Sequence, residues 1–391
     1  MSVPIFHRRV LAENIARRTL SPKGLSGIFL SAPRRTGKST LINEDIIPFL
    51  KKQGAEVIYV DLWSDRSRDP GDLISEAVRE HLQRREGAIL QWARRGGLDK
   101  VNVAGIQLDI AKVGIGSGKT IAKALSELSD ATKAMIVLVI DEAQHAITTD
   151  AGSSSLFALK AARDQLNGSA HHGFRLIATG SNRDKLSLLV EGKDQAFLNA
   201  VLLDLELLGD DYLAWELGQC DGDVKPSLGV LSAAFTASGH KPESLRKALD
   251  DLAFRFDATS ENVDAIFQSV FDKIIADAKQ GFMRQVNGLP PLQAAVLTVM
   301  AITGPDFAPF RPHTVAKYVE ACKRLTNTSV NIDDSAIQYA LEALRAKALV
   351  WNSSRGVYAI EDSQHVTWLK EDFAEDAAPQ ETQHDAPPPR M

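Results

Sequence analysis

The chain has 391 residues, 44% of them apolar, and a formal net charge of −5; that length allows two or three domains with a substantial core, and the charge excludes a generally basic nucleic-acid binder. The two cysteines, Cys220 and Cys322, lie far apart in amphipathic stretches, which argues against a disulfide framework or a zinc site and for buried structural thiols. No apolar run reaches the about 20 residues a bilayer span needs, and the arginines at 8, 9, 17 and 18 lack the apolar core of a secretion signal, so we expect a surface helix at the N-terminus and a cytoplasmic protein.

In chain order, the first half alternates strands and helices. Ser26 to Leu30 reads as a strand, Lys38 to Lys52 as a helix, Glu56 to Asp61 as a strand and Pro70 to Arg94 as one long helix. Val101 to Val113 alternates apolar and polar residues around Gly105, which suggests an inserted β-hairpin, followed by a helix over 120–129. Met135 to Asp141 is a continuous apolar run of the kind expected for a central parallel strand buried on both faces; Phe174 to Thr179 repeats it, and Ala200 to Leu207 supplies a fifth strand. The expected fold class is therefore α/β, with a parallel five-stranded sheet and ligands beyond the strand carboxyl ends.

From residue 209 the pattern turns helical. Asp211 to Leu217, Ser227 to Ala237 and Glu243 to Phe256 suggest a small lid, and Glu261 to Gln285 a longer helix. Leu289-Pro290-Pro291 marks a boundary. Beyond it come helices at Leu292 to Ile302, Pro312 to Leu325 and Asp333 to Ala348, then a hairpin over Leu349 to Ile360, the order of a winged helix. The expected domains are a core at 1–208, a helical lid at 209–288, a winged helix at 289–369 and a disordered acidic, proline-rich tail at 370–391.

Two motifs carry chemistry. Ala32-Pro33-Arg34-Arg35-Thr36-Gly37-Lys38-Ser39-Thr40 follows the first strand and opens a helix, and Met135 to Ile140 ends in Asp141-Glu142. A phosphate loop needs a strand, a turn whose N–H groups wrap the phosphates, and a helix N-terminus facing the anion. Lys38 would reach the β- and γ-phosphates and Ser39 would ligate Mg²⁺, so the pair of motifs spells an ATP-hydrolysing site. Ala32 stands where the pattern has its first glycine; a positive φ there would cost roughly 1–2 kcal/mol. Gly114 to Thr120 also ends in Gly-Lys-Thr, but it lacks room for its own βαβ unit and reads as a glycine-rich turn.

With Val139-Ile140-Asp141-Glu142-Ala143-Gln144, Ala178-Thr179-Gly180-Ser181-Asn182 and Gly239-His240-Lys241-Pro242-Glu243-Ser244-Leu245-Arg246 in order behind the loop, the chain resembles the AAA+ and STAND group of ATPases, in the bacterial and archaeal branch with an Arg-Arg pair in a P-loop NTPase core. A terminal winged helix also occurs in that group, notably in replication initiators. The resemblance implies that Pro33, Arg34, Arg35, Thr36, Gly37, Lys38, Ser39 and Thr40 bind ATP, and that Asp141 with Ser39 holds Mg²⁺. It implies Glu142 as general base, Ser181 or Asn182 as the polar sensor of the γ-phosphate, and Arg246 as the lid arginine, with Pro242 packing near the base. The plainer readings are a solvated strand-end charge for Glu142, a loop turn for Ser181 and Asn182, and a surface arginine for Arg246. Arg34 and Arg35 count with the loop, although side chains at such positions usually point toward another domain or subunit. Asp194 to Ala200, where the group often carries an intersubunit arginine, has none; Arg183 is the nearest substitute.

The expected reading helix of the winged helix, Asp333 to Glu342, is acidic at the end that should approach a groove, whereas phosphate contacts need Lys or Arg. DNA is therefore weighed against a protein partner, self-association or an autoinhibitory contact. The leading expectation is an ATP-driven switch coupling nucleotide state to the winged helix, with mobile-element, replication or defence roles all compatible. A non-catalytic DNA-binding regulator using nucleotide structurally is the alternative, and a small-molecule kinase leaves the winged helix without a purpose.

Overall fold

The computed structural model describes residues 4–95, 113, 120–168, 171–181, 183–191, 195–326, 332–354 and 357–377. They divide into two compact units, Met1–Ile275 and Ala276–Met391. The division falls inside a helix, not at Pro290-Pro291.

The first unit opens with α1 (Arg9–Leu20) and is built on β1 (Ile28–Ser31), β2 (Glu56–Asp61), β3 (Ile136–Asp141), β4 (Phe174–Gly180) and β5 (Val201–Asp204). All pairings are parallel and the order is β2-β3-β4-β1-β5. β3 and β4 are buried along their whole length, as their uninterrupted apolar runs require. Side chains alternate across the sheet: Ile28, Leu30, Val137 and Ile177 pack with Ala12, Ile15, Leu41 and Ile46 on one face, while Phe29, Leu138 and Leu176 pack with Ile74, Leu125 and Leu159 on the other.

After β1 a helical segment, α2, runs through Lys38–Thr40, Leu41–Ile46 and Ile47–Lys52, its middle part π-helical. Pro48 explains the wider turn: it lacks an N–H and its ring crowds the carbonyl four residues back, a conflict the looser i→i−5 pattern relieves. The long helix expected over 70–94 is two helices, α3 (Pro70–Arg84) and α4 (Glu86–Arg95), broken at Arg85. Asp69 starts α3 by accepting from Gly71 N at 2.7 Å, with Pro70 in the first turn where a missing N–H costs nothing. The expected hairpin over 101–113 and the glycine-rich turn at 114–119 lie outside the described residues, apart from Val113. α5 (Ile121–Thr132), α6 (Asp150–Leu166) and the short α7 (Arg183–Ser187) complete the layers. Where the lid was expected, α8 (Asp210–Gln219), α9 (Leu228–Ala237), α10 (Pro242–Ala253) and the start of α11 (Val263–Asn287) pack around Tyr212, Leu231, Phe235, Leu245 and Phe267.

The second unit packs α12 (Pro291–Thr303), α13 (Pro312–Thr326), α14 (Asp334–Ala346) and an antiparallel pair, β6 (Val350–Ser354) with β7 (Val357–Ile360), in the order of a winged helix. A further helix, α15 (Ser363–Ala377), was not among the sequence expectations. It corrects the expected tail, whose first residues, from Lys370, are helical here: Trp368 and Leu369 are buried in the unit's core, and Lys279 Nζ reaches Glu371 at 2.9 Å. Residues 378–391 lie outside the described residues. Cys322 is buried and Cys220 half-buried, both as free thiols. Among the described residues no helix is long and apolar enough to cross a membrane.

Candidate active site

The sheet order decides which loops meet. β4 lies between β1 and β3, with Ser31 opposite Gly180 and Ile140 opposite Ala178. The loop after β1, the acidic end of β3 and the end of β4 therefore converge at one edge, as expected where strand order reverses in an open parallel sheet.

The loop after β1 carries left-handed backbone at Arg35 (φ 62°) and Gly37 (φ 85°), on either side of Thr36. Such alternation turns successive N–H groups toward one concavity. Gly37 tolerates this conformation because it has no Cβ. Ala32 is not one of the left-handed residues, so alanine replaces glycine there without strain; it is buried, and its N–H reaches Gly180 O at 3.1 Å. Gly37 gives α2 no side-chain cap, and the first N–H groups of a helix have no intrahelical acceptor. Thr36 Oγ1 donates to Pro33 O at 2.8 Å and tightens the turn. Thr40 is exposed at the start of α2 and lines the cavity described below.

Behind the loop is a charged network. Lys38, 6% exposed, donates from Nζ to Glu142 Oε1 at 2.6 Å and lies 3.3 Å from Asp141 Oδ1. Ser39 Oγ donates to Asp141 Oδ2 at 2.7 Å. Thr179 Oγ1 donates to Asp141 Oδ1, and Tyr59 OH approaches Oδ2 at 3.4 Å. Glu142 sits at φ 53°, uncommon for a residue with a Cβ, and its Oε2 accepts from Gln144 Nε2 at 2.6 Å and Ser181 Oγ at 2.9 Å. Burial pushes the Glu142 carboxyl up, but Lys38 foremost, with Gln144 and Arg34, outweighs it and holds the group at about 2. Gln144 Oε1 is buried without a hydrogen-bond partner and faces Gly180, where a Cβ would come within 2.7 Å of it.

The two loop arginines diverge. Arg35 pairs with the exposed Glu243 of α10 at 3.3 Å; Arg34 turns toward Ser181, with Nε 3.3 Å from Oγ and its guanidinium 4.3 Å from the Trp63 ring centroid. Arg246 donates from Nε to Glu216 Oε1 at 2.9 Å. Arg183 pairs with Asp204 at 2.7 Å on the surface. Asn182 lies outside the described residues.

A cavity of about 450 Å³ adjoins the loop and brings Gly37 and Ser39 together with Ile5, Phe6, Leu208, Tyr212, Pro242 and Arg246. Its N-terminal wall is fastened by Asp45 of α2, which accepts from His7 Nδ1 at 2.7 Å and Arg8 N at 3.0 Å, and by Phe6, 5.5 Å from the rings of both Tyr212 and Trp215. Sequence reasoning missed this segment, and missed Tyr59, Thr179 and Gln144 as partners of the acidic pair. Thr179 and Gln144 at least sit within the motifs; residues 4–8 carry no local signal.

The donor set fits a nucleoside triphosphate with a divalent cation: a lysine ammonium, an uncapped helix start, and the hard oxygens of Ser39 and Asp141 side by side. Among the described residues no group of three or more acidic, histidine or cysteine side chains could hold a metal alone.

Residues 23–187 match the family model of the AAA domain. No curated protein matches the chain. Among solved structures, the Aeropyrum pernix ORC2 protein in its ADP form is similar at 16% identity over 97% of each chain, with a TM-score of 0.54. The ADPNP-ADP complexes of the same protein match at 16% identity, over 95% of this chain and 97% of that one, with a TM-score of 0.46. The Aeropyrum pernix ORC1 protein in complex with DNA matches at 16%, over 96% and 95%, with a TM-score of 0.44. Only the first is close enough to speak to the fold.

Proposed function

We propose that the protein binds and hydrolyses Mg·ATP at this edge of the sheet and couples nucleotide state to its C-terminal unit. The observation that carries the reading is the convergence of the buried Lys38 and Asp141 with Ser39 and Glu142 from two separate strand ends. In this reading the loop from Pro33 to Thr40 wraps the phosphates, Ser39 and Asp141 hold Mg²⁺, and the cavity between Phe6, Leu208 and Pro242 takes the base. Phosphate oxygens compete with Glu142 for Lys38. Once the ammonium turns to them, the carboxylate loses its strongest stabilising partner and becomes a better base for the attacking water. Ser181 and Arg246 report on the γ-phosphate from the end of β4 and from the lid.

For the C-terminal unit, a protein partner is favoured over DNA. The face of α14 around Tyr339, which is 71% exposed, presents Asp334, Gln338 and Glu342 against the single basic residue Arg345, and acidic side chains repel phosphate. The test of the enzymatic reading is calorimetry and phosphate release with and without Mg²⁺. Metal-dependent release that disappears in Lys38→Ala is expected; ATP affinity unchanged in a folded Lys38→Ala protein would refute the site.

A further inference from the structure

Arg34 and Lys38 leave the same loop and close on the same carboxylate. Lys38 Nζ is 2.6 Å from Glu142 Oε1; on the other side Arg34 Nε is 3.3 Å from Ser181 Oγ, itself 2.9 Å from Glu142 Oε2. The guanidinium lies over the ring of Trp63, just beyond the end of β2, at 4.3 Å from the centroid; Arg66 approaches the same ring at 4.9 Å. A planar guanidinium suits such a site because it stacks on an aromatic face while keeping its fork of donors for oxyanions. Arg35 next to it goes the other way, to Glu243, so the inward turn of Arg34 is a property of its surroundings and not of the loop as a whole.

We propose that Arg34 is a catalytic arginine supplied in cis, whose guanidinium engages the γ-phosphoryl oxygens of bound Mg·ATP and carries the charge that builds there during hydrolysis. The proposal rests on the hydrolase reading above. In the step, the water oxygen bonds to the γ-phosphorus, and the bond from that phosphorus to the β–γ bridging oxygen breaks, its electron pair leaving with ADP. The water proton passes to Glu142. Arg34 neither gives nor takes a proton; it acts as a fixed charge on the transferring group. A loop arginine in this place makes each chain self-sufficient. That accounts for a stretch before β5, Asp194 to Ala200, without any arginine, and for Arg183 being engaged with Asp204.

The test compares the parent protein with Arg34→Ala and Arg34→Lys in three measurements: phosphate release, calorimetric affinity for Mg·ADP and for a slowly hydrolysed Mg·ATP analogue, and Trp63 emission by difference against Trp63→Phe. Mg·ADP affinity should stay within about threefold, preference for the triphosphate should fall about tenfold, and turnover should fall at least about a hundredfold in both variants. In the parent, the analogue but not Mg·ADP should alter Trp63 emission, because Arg34 leaves the ring only for a γ-phosphate, and turnover per chain should stay constant on dilution. Turnover of Arg34→Ala within about threefold of the parent, loss of Mg·ADP binding in both variants, or parental turnover per chain that falls on dilution would overturn the proposal while leaving the hydrolase reading intact. Absence of phosphate release from the parent would overturn both.

Discussion

Replacing Lys38 by methionine should destabilise the protein and weaken the contribution of Glu142 to its pH dependence. The Glu142 carboxyl stands at about 2 against an ordinary value of 4.5, a difference worth about 3 kcal/mol of folding stability at neutral pH. Because the folded value is depressed, that stability is present above the ordinary carboxylate range and is lost as pH falls toward 2. Without the ammonium, burial, the largest single influence on the group, is opposed only by Gln144, Ser181 and Arg34, and the carboxyl moves up from about 2. The variant then carries a buried carboxylate without its cation at neutral pH, at a cost of about 3–5 kcal/mol, and the gap to the parent narrows as acid neutralises the group. Urea unfolding of both proteins between about pH 3 and pH 8 reads the effect. The double variant Lys38→Met/Glu142→Gln, which removes the orphaned charge, should recover most of the loss. A Lys38→Met penalty under about 1 kcal/mol, or a double variant no more stable than the single one, would refute this account of the pair.

Two other perturbations probe the surroundings. Gly180→Ala places a methyl 2.7 Å from Gln144 Oε1 and 3.0 Å from Leu186 Cδ1; displacing Gln144 from Glu142 should lower turnover more than ATP affinity and cost about 1–3 kcal/mol of stability, measured by steady-state kinetics and unfolding. Asp45→Ala leaves the Arg8 N–H and the His7 ring without their acceptor, so the N-terminal wall of the cavity should loosen, with about 1–3 kcal/mol lost and a weaker Mg·ATP affinity by calorimetry.

The turn after β1 and Asp141-Glu142 were legible in the sequence as motifs because each is contiguous, and strand polarity alone puts both at the carboxyl ends of the sheet. The five parallel strands were legible for a related reason: runs such as Ile136 to Ile140 have no polar face to show water. What long-range packing decides was hidden. The direction of Arg34 depends on Trp63 and Ser181, 29 and 147 positions away, and the wall built by residues 4–8 depends on Asp45. α15 was missed because its buried anchors, Trp368 and Leu369, are too few to mark a periodicity amid acidic neighbours. The break at Arg85 likewise has no proline to announce it.

The central claim is that Glu142 activates water for ATP hydrolysis at the end of β3. Glu142→Gln keeps the shape and much of the hydrogen bonding to Lys38, Gln144 and Ser181 but removes the basic oxygen, so it separates binding from chemistry. Phosphate release and calorimetric Mg·ATP affinity measured side by side on Glu142→Gln and the parent test that claim most directly. The account predicts affinity retained and turnover reduced by about 10²–10⁴; phosphate release at the parental rate would contradict it.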